Sequence, residues 1–213
     1  MRIDSVNYND PTYEWIYFTN QHVRPLYLVM GMGASGKDTF VDLACEKYGM
    51  TKVKSYTTRP RRSEDENTHY FVSETEFWSK DLIAHLSMGG YDYGATVEQL
   101  MEADFYIVDP FTAFTLPKRF KRPCKTILLE DSLSTRLMRM SCRGDSEENI
   151  GKRIQEDVKI FGEERSEFRR LIRGAADYYL RSVSRYVMGE AMDKSTPFSN
   201  YLEVWDDKEE QFV

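Results

Sequence analysis

Short apolar runs separated by helical patterns organise the chain from Tyr27 onward. The first run, Tyr27 to Met30, leads into a glycine-rich loop that is followed by apolar residues at helical spacing. Two later runs, Phe105 to Val108 and Thr126 to Leu129, are short and continuous, which is typical of strands buried in a parallel sheet. Because strands alternate with helices, the pattern predicts an α/β fold built on a parallel central sheet.

Smaller elements are predicted between the first two of these strands. Val53 to Thr57 alternates with more polar neighbours and predicts a strand. Leu82 to Met88 and Tyr91 to Tyr93 are separated by two glycines and predict a hairpin. Capping boxes that begin at Ser73 and Thr96 predict the starts of two short helices.

The C-terminal half is mainly helical in pattern. Leu133, Leu137 and Met140 fall on one face of a predicted helix, and Asp145 or Ser146 starts another.

Helical character is expected to continue, with breaks, towards Leu180, and a final strand is predicted at Tyr201 to Trp205. Residues 1–24 carry several aromatic side chains without a clear period, and we interpret them as an extension packed on the domain.

Composition narrows the class of protein. The chain has 213 residues, of which 41% are apolar and 30% charged, and this balance indicates one globular domain. A net charge of −6 argues against general affinity for nucleic acid, and no run of about 18 apolar residues predicts a membrane span. Three cysteines without metal-ligand spacing favour free thiols in a reducing compartment. We therefore expect a cytoplasmic protein that binds neither nucleic acid nor membrane; the sequence carries no signal for its oligomeric state.

A candidate phosphate loop, residues 31–37, follows the first predicted strand. It fits the pattern G-x-x-x-x-G-K and lies between a strand and a helix, as this kind of loop requires. Backbone N–H groups of such a loop approach phosphate oxygens, and the lysine neutralises the β- and γ-phosphates. The residues predicted to bind ATP are Gly31, Gly33, Ala34, Ser35, Gly36, Lys37, Asp38 and Thr39. The alternative is a glycine-rich turn that only closes a strand–helix unit.

The residue after Lys37 departs from the usual form of a phosphate loop. Asp38 stands where Ser or Thr would coordinate Mg²⁺, and Thr39 follows it. A carboxylate can hold Mg²⁺ directly or through water. Asp38 and Thr39 are therefore the candidate metal ligands.

A basic segment at residues 55–62, with the sequence SYTTRPRR, follows the phosphate loop. Arg59 and Arg62 are three positions apart and can grip a phosphate bidentately, while Tyr70 and Tyr93 offer phenolic hydroxyls. The alternative is a solvated basic face. Together with the phosphate loop, this segment resembles the monophosphate-binding segment of guanylate kinases.

The resemblance to guanylate kinases extends along much of the chain. It includes Gly90 to Gly94, Asp109, Arg143 to Arg153, and Tyr201 to Glu210. It implies a P-loop NTPase-type three-layer fold with a β-rich monophosphate-binding subdomain at about 55–95 and a helical lid at about 141–160. Residues 25–213 would form the kinase domain, residues 1–24 an N-terminal extension, and residues from about 163 to 200 an insertion.

The resemblance also implies catalytic roles. Lys37, Arg143 and Arg153 would be catalytic and, together with Arg59 and Arg62, would surround the transferring phosphoryl group. Phosphoryl transfer depends mainly on positioning and charge neutralisation, which such groups supply. The two lid arginines would arrive on closure and exclude water. The alternative for them is ordinary charge pairing on a helix surface.

Acceptor binding is implied at a second set of positions. These residues are Ser55, Arg59, Arg62, Tyr70, Tyr93 and Asp109. Asp109, at a strand end, would orient the acceptor or Mg²⁺. The alternative for Asp109 is a carboxylate that caps a turn.

Two positions break the guanylate kinase pattern. Ala84 and Ala95 stand where the family reads guanine with a glutamate and with a Ser or Thr. Either other polar residues substitute, the candidates being Ser55, His85, Ser87 and Thr96, or the base is different.

The predicted activity is therefore ATP- and Mg²⁺-dependent phosphorylation of a nucleoside monophosphate, whether GMP, dGMP or another, to the diphosphate. Two alternatives stand beside it: a P-loop kinase of another small metabolite, and a non-catalytic guanylate-kinase-like module that binds protein partners.

Overall fold

The structure, a computed structural model, describes residues 24–61 and 63–181 together with Phe198 and Leu202. The strands are β1 (Leu26–Met30), β2 (Tyr56–Thr57), β3 (Tyr70–Phe71), β4 (Leu82–Met88), β5 (Tyr91–Thr96), β6 (Phe105–Ile107), β7 (Cys124–Glu130) and β8 (Tyr178–Arg181). The helices are α1 (Lys37–Tyr48), α2 (Glu74–Trp78), α3 (Val97–Glu102), α4 (Pro110–Thr115), α5 (Leu133–Cys142), α6 (Glu147–Phe161) and α7 (Glu167–Ala175), with a 3₁₀ turn at Leu116–Lys118.

A parallel sheet forms the centre of the described part of the chain, with strand order β6-β1-β7-β8. Alternate residues of β1 point to opposite faces of this sheet. On one face, Leu26 and Leu28 pack in a cluster that includes residues of α3, α4, α6 and α7. On the other, Tyr27 and Val29 pack against α1 with Phe198 and Leu202. The fold therefore has three layers, as the sequence predicted.

A smaller sheet lies beside the central one, in the order β3-β2-β5-β4. Its main unit is the antiparallel hairpin of β4 and β5, in which Ala84 lies opposite Ala95 and Leu86 opposite Tyr93. The predicted hairpin is confirmed. The strand predicted at Val53 to Thr57 is shorter than expected, because only Tyr56 and Thr57 pair within this sheet.

Both capping boxes start helices where they were predicted. The Ser73 hydroxyl accepts a hydrogen bond from the Glu76 N–H at the start of α2. Thr96 and Gln99 exchange the full reciprocal pair at the start of α3. These signals are reliable because each is complete within four residues.

The C-terminal part of the sheet differs from the prediction. Residues expected to be helical towards Leu180 form β8, which pairs parallel to β7. Its start is fixed by the Asp177 carboxylate, which accepts hydrogen bonds from the Thr126 N–H and hydroxyl, both at 2.8 Å. The strand predicted at Tyr201 to Trp205 is wrong at Leu202, which is helical, and its other residues lie outside the described ones.

Part of the segment interpreted as an insertion therefore belongs to the core. Helix α7 and strand β8 complete one side of the central sheet, and Ile172 and Leu180 are each 3% exposed. The remainder of that segment from residue 182, apart from Phe198, and residues 1–23 of the extension lie outside the described residues.

Helix α5 buries only part of the face that its apolar pattern indicates. Met140 is fully buried, but Leu133 and Leu137 are exposed, whereas Arg136 is 3% exposed. The reason is a salt bridge from Arg136 to Asp157 of α6, which turns the guanidinium inward. Among the described helices, none has the length and apolar composition needed to cross a membrane.

A buried ionic cluster fixes α7 on the sheet. Glu130, at the end of β7, accepts hydrogen bonds from Arg169 Nε at 2.8 Å, Arg173 Nε at 2.6 Å and the Tyr179 hydroxyl at 2.9 Å. All three donors are on α7 or β8. The cluster therefore joins both elements to the middle of the sheet.

Replacing Glu130 by alanine should lower the free energy of unfolding by about 3–5 kcal/mol, because two arginines lose a buried carboxylate. Urea denaturation monitored by circular dichroism measures this change. The matched control is Glu46→Ala at an exposed position of α1, for which we expect a change within about 0.5 kcal/mol. Similar small changes in both variants would show that the cluster is not stabilising.

Candidate functional site

The phosphate loop connects β1 to α1 at the carboxyl edge of the central sheet. A side chain at Gly31 would collide with the Leu129 carbonyl oxygen and lie 2.7 Å from Ser35 Oγ. Gly36 adopts a left-handed conformation with φ of 95°. Only glycine fits the first position without displacement of β7, and glycine is strongly preferred at the second.

The start of α1 is open to an anion. Its N-cap is Gly36, which has no side chain to accept hydrogen bonds from the first-turn N–H groups of Lys37, Asp38 and Thr39. The Ser35 hydroxyl is buried and has no hydrogen-bond partner within the described part of the chain. Unpaired N–H groups at a helix start and a buried, unpaired hydroxyl fit the oxygens of a phosphate chain. The predicted ATP-binding residues are thus brought together.

Lys37 lies across the loop. Its Nζ donates hydrogen bonds to the carbonyl oxygens of Gly31 and Met32, each at 2.8 Å. Burial lowers the pKa of Lys37 below its ordinary value, and the negative charges of Asp38 and Asp157 oppose this shift. A phosphate would offer the ammonium a stronger partner than two neutral carbonyls.

Asp157, on α6, is hydrogen-bonded to the phosphate loop. The sequence analysis did not predict it as a site residue. Its carboxylate accepts the Gly33 N–H, with Oδ1 at 2.9 Å and Oδ2 at 3.1 Å. Oδ2 also accepts a hydrogen bond from Arg136 at 2.7 Å. Burial lowers the pKa of Arg136, and the charge of Asp157 opposes that change. In sequence, Asp157 stands among other polar helix residues, so no local signal distinguishes it.

Arg139 is a second residue that the sequence prediction left out of the site. Its guanidinium donates to the Ala34 carbonyl oxygen at 3.0 Å and pairs with Asp131 at 2.9 Å. A signal in the sequence could have pointed to Arg139. Arg136, Arg139 and Arg143 are three and four positions apart, so they lie close together along one side of α5. Helix α5 therefore contacts the loop directly, from Arg139 to the Ala34 carbonyl. It also contacts the loop indirectly, because Arg136 bonds to Asp157, which accepts the Gly33 N–H.

The candidate metal ligands lie in the first turn of α1. Asp38 is exposed, and Thr39 is its neighbour. The described residues contain no group of three or more His, Cys, Asp or Glu that could hold a metal by themselves. Mg²⁺ commonly takes one or two protein oxygens and completes its shell with water and substrate phosphates, so Asp38 and Thr39 fit it.

Arg59 is the centre of the acceptor side. It is 8% exposed and forms a bidentate pair with Glu66, at 2.6 and 3.2 Å. Burial alone would lower the pKa of Arg59, but the hydrogen bonds and charge of Glu66, with a hydrogen bond to Tyr93, raise it. Arg59 and Tyr93 therefore lie next to each other, and their role in acceptor binding stays a prediction.

The other residues predicted to bind the acceptor differ in how deeply they are buried. Ser55 is buried, and its carbonyl accepts the N–H of Tyr70, whose side chain is 47% exposed. Arg62 lies outside the described residues.

Asp109 caps α4, as its alternative interpretation stated. Its Oδ1 accepts the Thr112 N–H at 3.0 Å, and its Oδ2 accepts the Thr112 hydroxyl at 2.5 Å. The neighbouring Val108 N–H donates to the Val29 carbonyl at 2.9 Å, which places Asp109 at the same sheet edge as the phosphate loop. A role for Asp109 towards acceptor or metal stays a prediction.

Both predicted lid arginines point towards one carboxylate. Asp145 Oδ2 lies 3.5 Å from Arg143 and 3.9 Å from Arg153. Burial is the main cause of the lowered pKa of Lys37, and the positive charge of Arg143 adds to it.

The hairpin face that carries Ala84 and Ala95 is apolar. These residues are 1% and 0% exposed and lie opposite each other, next to the pair of Leu86 and Tyr93. Side chains alternate along a strand, so His85 lies on the opposite face from Ala84.

The polar candidates to replace the guanine-reading residues have other partners. His85 and Ser87 both hydrogen-bond to Asp92, at 3.1 and 2.5 Å. These bonds, from Ser87 first and then His85, lower the pKa of Asp92. Thr96 is used in the cap of α3.

These features define a P-loop α/β fold: a phosphate loop at the carboxyl edge of a parallel sheet, with a small β-subdomain and helices α5 and α6 beside it. No protein-family model and no curated protein matches the chain. Among solved structures, the chain is similar to guanylate kinase from Anaplasma phagocytophilum. The two are 16% identical, the match covers 87% of this chain and 88% of that chain, and the TM-score is 0.52. The fold is guanylate-kinase-like, which confirms the fold expected from the sequence resemblance.

Proposed function

We propose that this protein transfers the γ-phosphoryl group of ATP to a nucleoside monophosphate. The observation that carries the proposal is the phosphate loop, in which first-turn N–H groups of α1, without partners inside the helix, lie beside Lys37. The fold also provides a buried arginine, Arg59, just after a strand of its small sheet. A structural turn has no need for a half-buried ammonium whose hydrogen-bond partners, among the described residues, are two carbonyls. The guanylate-kinase-like fold supports the same assignment.

Each part of the site has a task in this reaction. The phosphate loop and Lys37 hold the triphosphate, and Arg59 with Tyr93 holds the acceptor phosphate. Mg²⁺, held by Asp38 and Thr39, would neutralise phosphate charge. Arg143 and Arg153 complete the positive surroundings of the transferring group and exclude water when the lid closes.

The residues at the positions that would read the acceptor base differ from those of guanylate kinases. At the two positions where guanylate kinases read guanine, Ala84 and Ala95 offer no side-chain oxygen for its N1–H and 2-amino donors, and both are buried. Each unmade hydrogen bond would cost about 1–3 kcal/mol. We therefore propose that GMP has no advantage over other nucleoside monophosphates.

The experiment is a phosphoryl-transfer assay with Mg²⁺ and ATP against a panel of ribo- and deoxynucleoside monophosphates, with diphosphate products separated by chromatography. We expect conversion of at least one monophosphate, and a kcat/KM for GMP no higher than for the best other base. Conversion of no nucleotide would contradict the proposal. Phosphorylation of an unrelated metabolite would then favour a different P-loop kinase, and no transfer at all would favour a protein-binding module.

A further inference from the structure

The N–H group of Gly33 in the phosphate loop is already paired with an anion. Both oxygens of Asp157 lie at hydrogen-bond distance from this N–H. A side-chain carbon added at Gly33 would lie 3.4 Å from Asp157 Oδ2, so the carboxylate sits directly above the loop. The same N–H is one of those that the proposed function gives to phosphate oxygens.

The carboxylate of Asp157 and a phosphate cannot share this N–H at low cost. Two anions a few ångströms apart repel each other strongly in a partly dehydrated site. The Asp157 side chain is only 12% exposed, and water therefore screens this repulsion poorly. One of the two anions must leave.

Arg136 makes the exchange favourable for a phosphate. Its side chain is 4% exposed, and Asp157 is its hydrogen-bonded partner at 2.7 Å. When Asp157 leaves the loop, the guanidinium of Arg136 remains beside the phosphate position and can pair with the incoming anion. Lys37 is equally available, because its present acceptors are neutral carbonyls.

The exchange would also change a contact between the predicted lid and the phosphate loop. Asp157 is on α6, and its neighbour Glu156 reaches the hairpin turn, where a side-chain carbon at Gly89 would lie 3.5 Å from Glu156 Oε1. The C-terminal half of α6 thus lies next to both the phosphate loop and the hairpin turn. Release of Asp157 would remove the first of these contacts.

We propose that Asp157 is a resident anion of the phosphate loop, which the terminal phosphate of ATP must displace from Gly33 before the nucleotide can bind productively. This inference rests on the proposed function. It predicts that the charge of Asp157 weakens nucleotide binding. A residue that only stabilises the helix would not have this effect. Removal of its charge should tighten nucleotide binding.

The test is calorimetric titration of the full chain with Mg²⁺ and a non-hydrolysable ATP analogue. Asp157→Asn keeps the shape of the side chain and removes its charge, and we expect it to bind the analogue at least about tenfold more tightly than wild type. The matched control is Glu148→Gln, which makes the same charge change at an exposed position of α6 that pairs with Lys152. Its affinity should stay within about twofold of wild type.

The outcomes separate this inference from the proposed function. Tighter binding by Asp157→Asn, or binding by this variant alone, supports the resident anion. Equal or weaker binding by Asp157→Asn, with clear binding by wild type, overturns it and leaves the proposed function intact. Absence of binding by both proteins overturns the proposed function and this inference with it.

A second measurement applies if Asp157→Asn does not fold. In wild-type protein, NMR signals of the Gly33 amide and of the Asp157 side-chain carboxyl carbon should shift together as the analogue is added, because one event moves both. A Gly33 shift without a change at the Asp157 carboxyl carbon would overturn the exchange.

Discussion

Replacing Lys37 by alanine should lower kcat/KM for phosphoryl transfer by at least about three orders of magnitude, because the triphosphate loses the ammonium that neutralises its developing charge. The fold should be retained, since the hydrogen bonds lost are only those to the carbonyls of Gly31 and Met32 in the same loop. Steady-state kinetics with the best monophosphate measures the effect. Circular dichroism and the Tm verify the fold.

The control for this variant is Lys47→Ala, in the last turn of the same helix. It removes the same charge from α1 at a distance from the loop, and its kcat/KM should stay within about threefold of wild type. Comparable losses in both variants would assign the effect to the charge of the helix. Full activity of Lys37→Ala would remove the phosphate-loop assignment.

Replacing Arg59 by lysine should raise the KM for the acceptor by about 10- to 100-fold while the KM for ATP changes little. Lysine keeps the charge but has three donors in place of five, so it cannot keep a bidentate pair with Glu66 and also offer paired donors to a phosphate. A hydrogen bond to a charged group contributes about 1.5–3 kcal/mol, which corresponds to a change of this size. Lysine is preferred over alanine as the test, because Glu66 needs a cation in its buried pair.

The adjacent Arg61 offers the control. It is exposed and stacks on Phe71, with its guanidinium 4.6 Å from the ring centre. Arg61→Lys should leave the KM values of both substrates within about twofold. Equal increases in both KM values for Arg59→Lys would contradict its role as the acceptor residue.

Features that are local in sequence could be predicted correctly. The strand, loop and helix around residues 26–48, the β4–β5 hairpin and the caps of α2 and α3 depend on residues within a few positions of one another. Their hydrogen bonds close within the same short segment, so the pattern of residues contains most of the information.

Features that depend on contacts between residues distant in sequence could not be predicted. The hydrogen bonds between Gly33 and Asp157 join residues 124 positions apart, and nothing near either residue signals them. Asp157 also accounts for the partial error at α5, since the salt bridge from Arg136 to Asp157 is buried while Leu133 and Leu137 are exposed. Strand β8 was missed for a similar reason, because Asp177 fixes its start through Thr126, 51 positions earlier.

The two positions that depart from the guanine-reading pattern are buried in the structure. Ala84 and Ala95 lie opposite each other in the β4–β5 hairpin, and each is at most 1% exposed. Of the polar residues that could compensate, His85 and Ser87 are bonded to Asp92, Thr96 caps α3, and Ser55 is buried before β2. Substrate choice is therefore the property in which this chain should differ most from the guanylate kinase pattern.

Calorimetric titration of the wild-type protein with ATP, in the presence and absence of Mg²⁺, tests most directly that the phosphate loop holds a triphosphate. The expected result is saturable binding at one site per chain that requires Mg²⁺ for full affinity and is lost in Lys37→Ala. Absence of binding at millimolar ATP, in protein that circular dichroism shows to be folded, would contradict it.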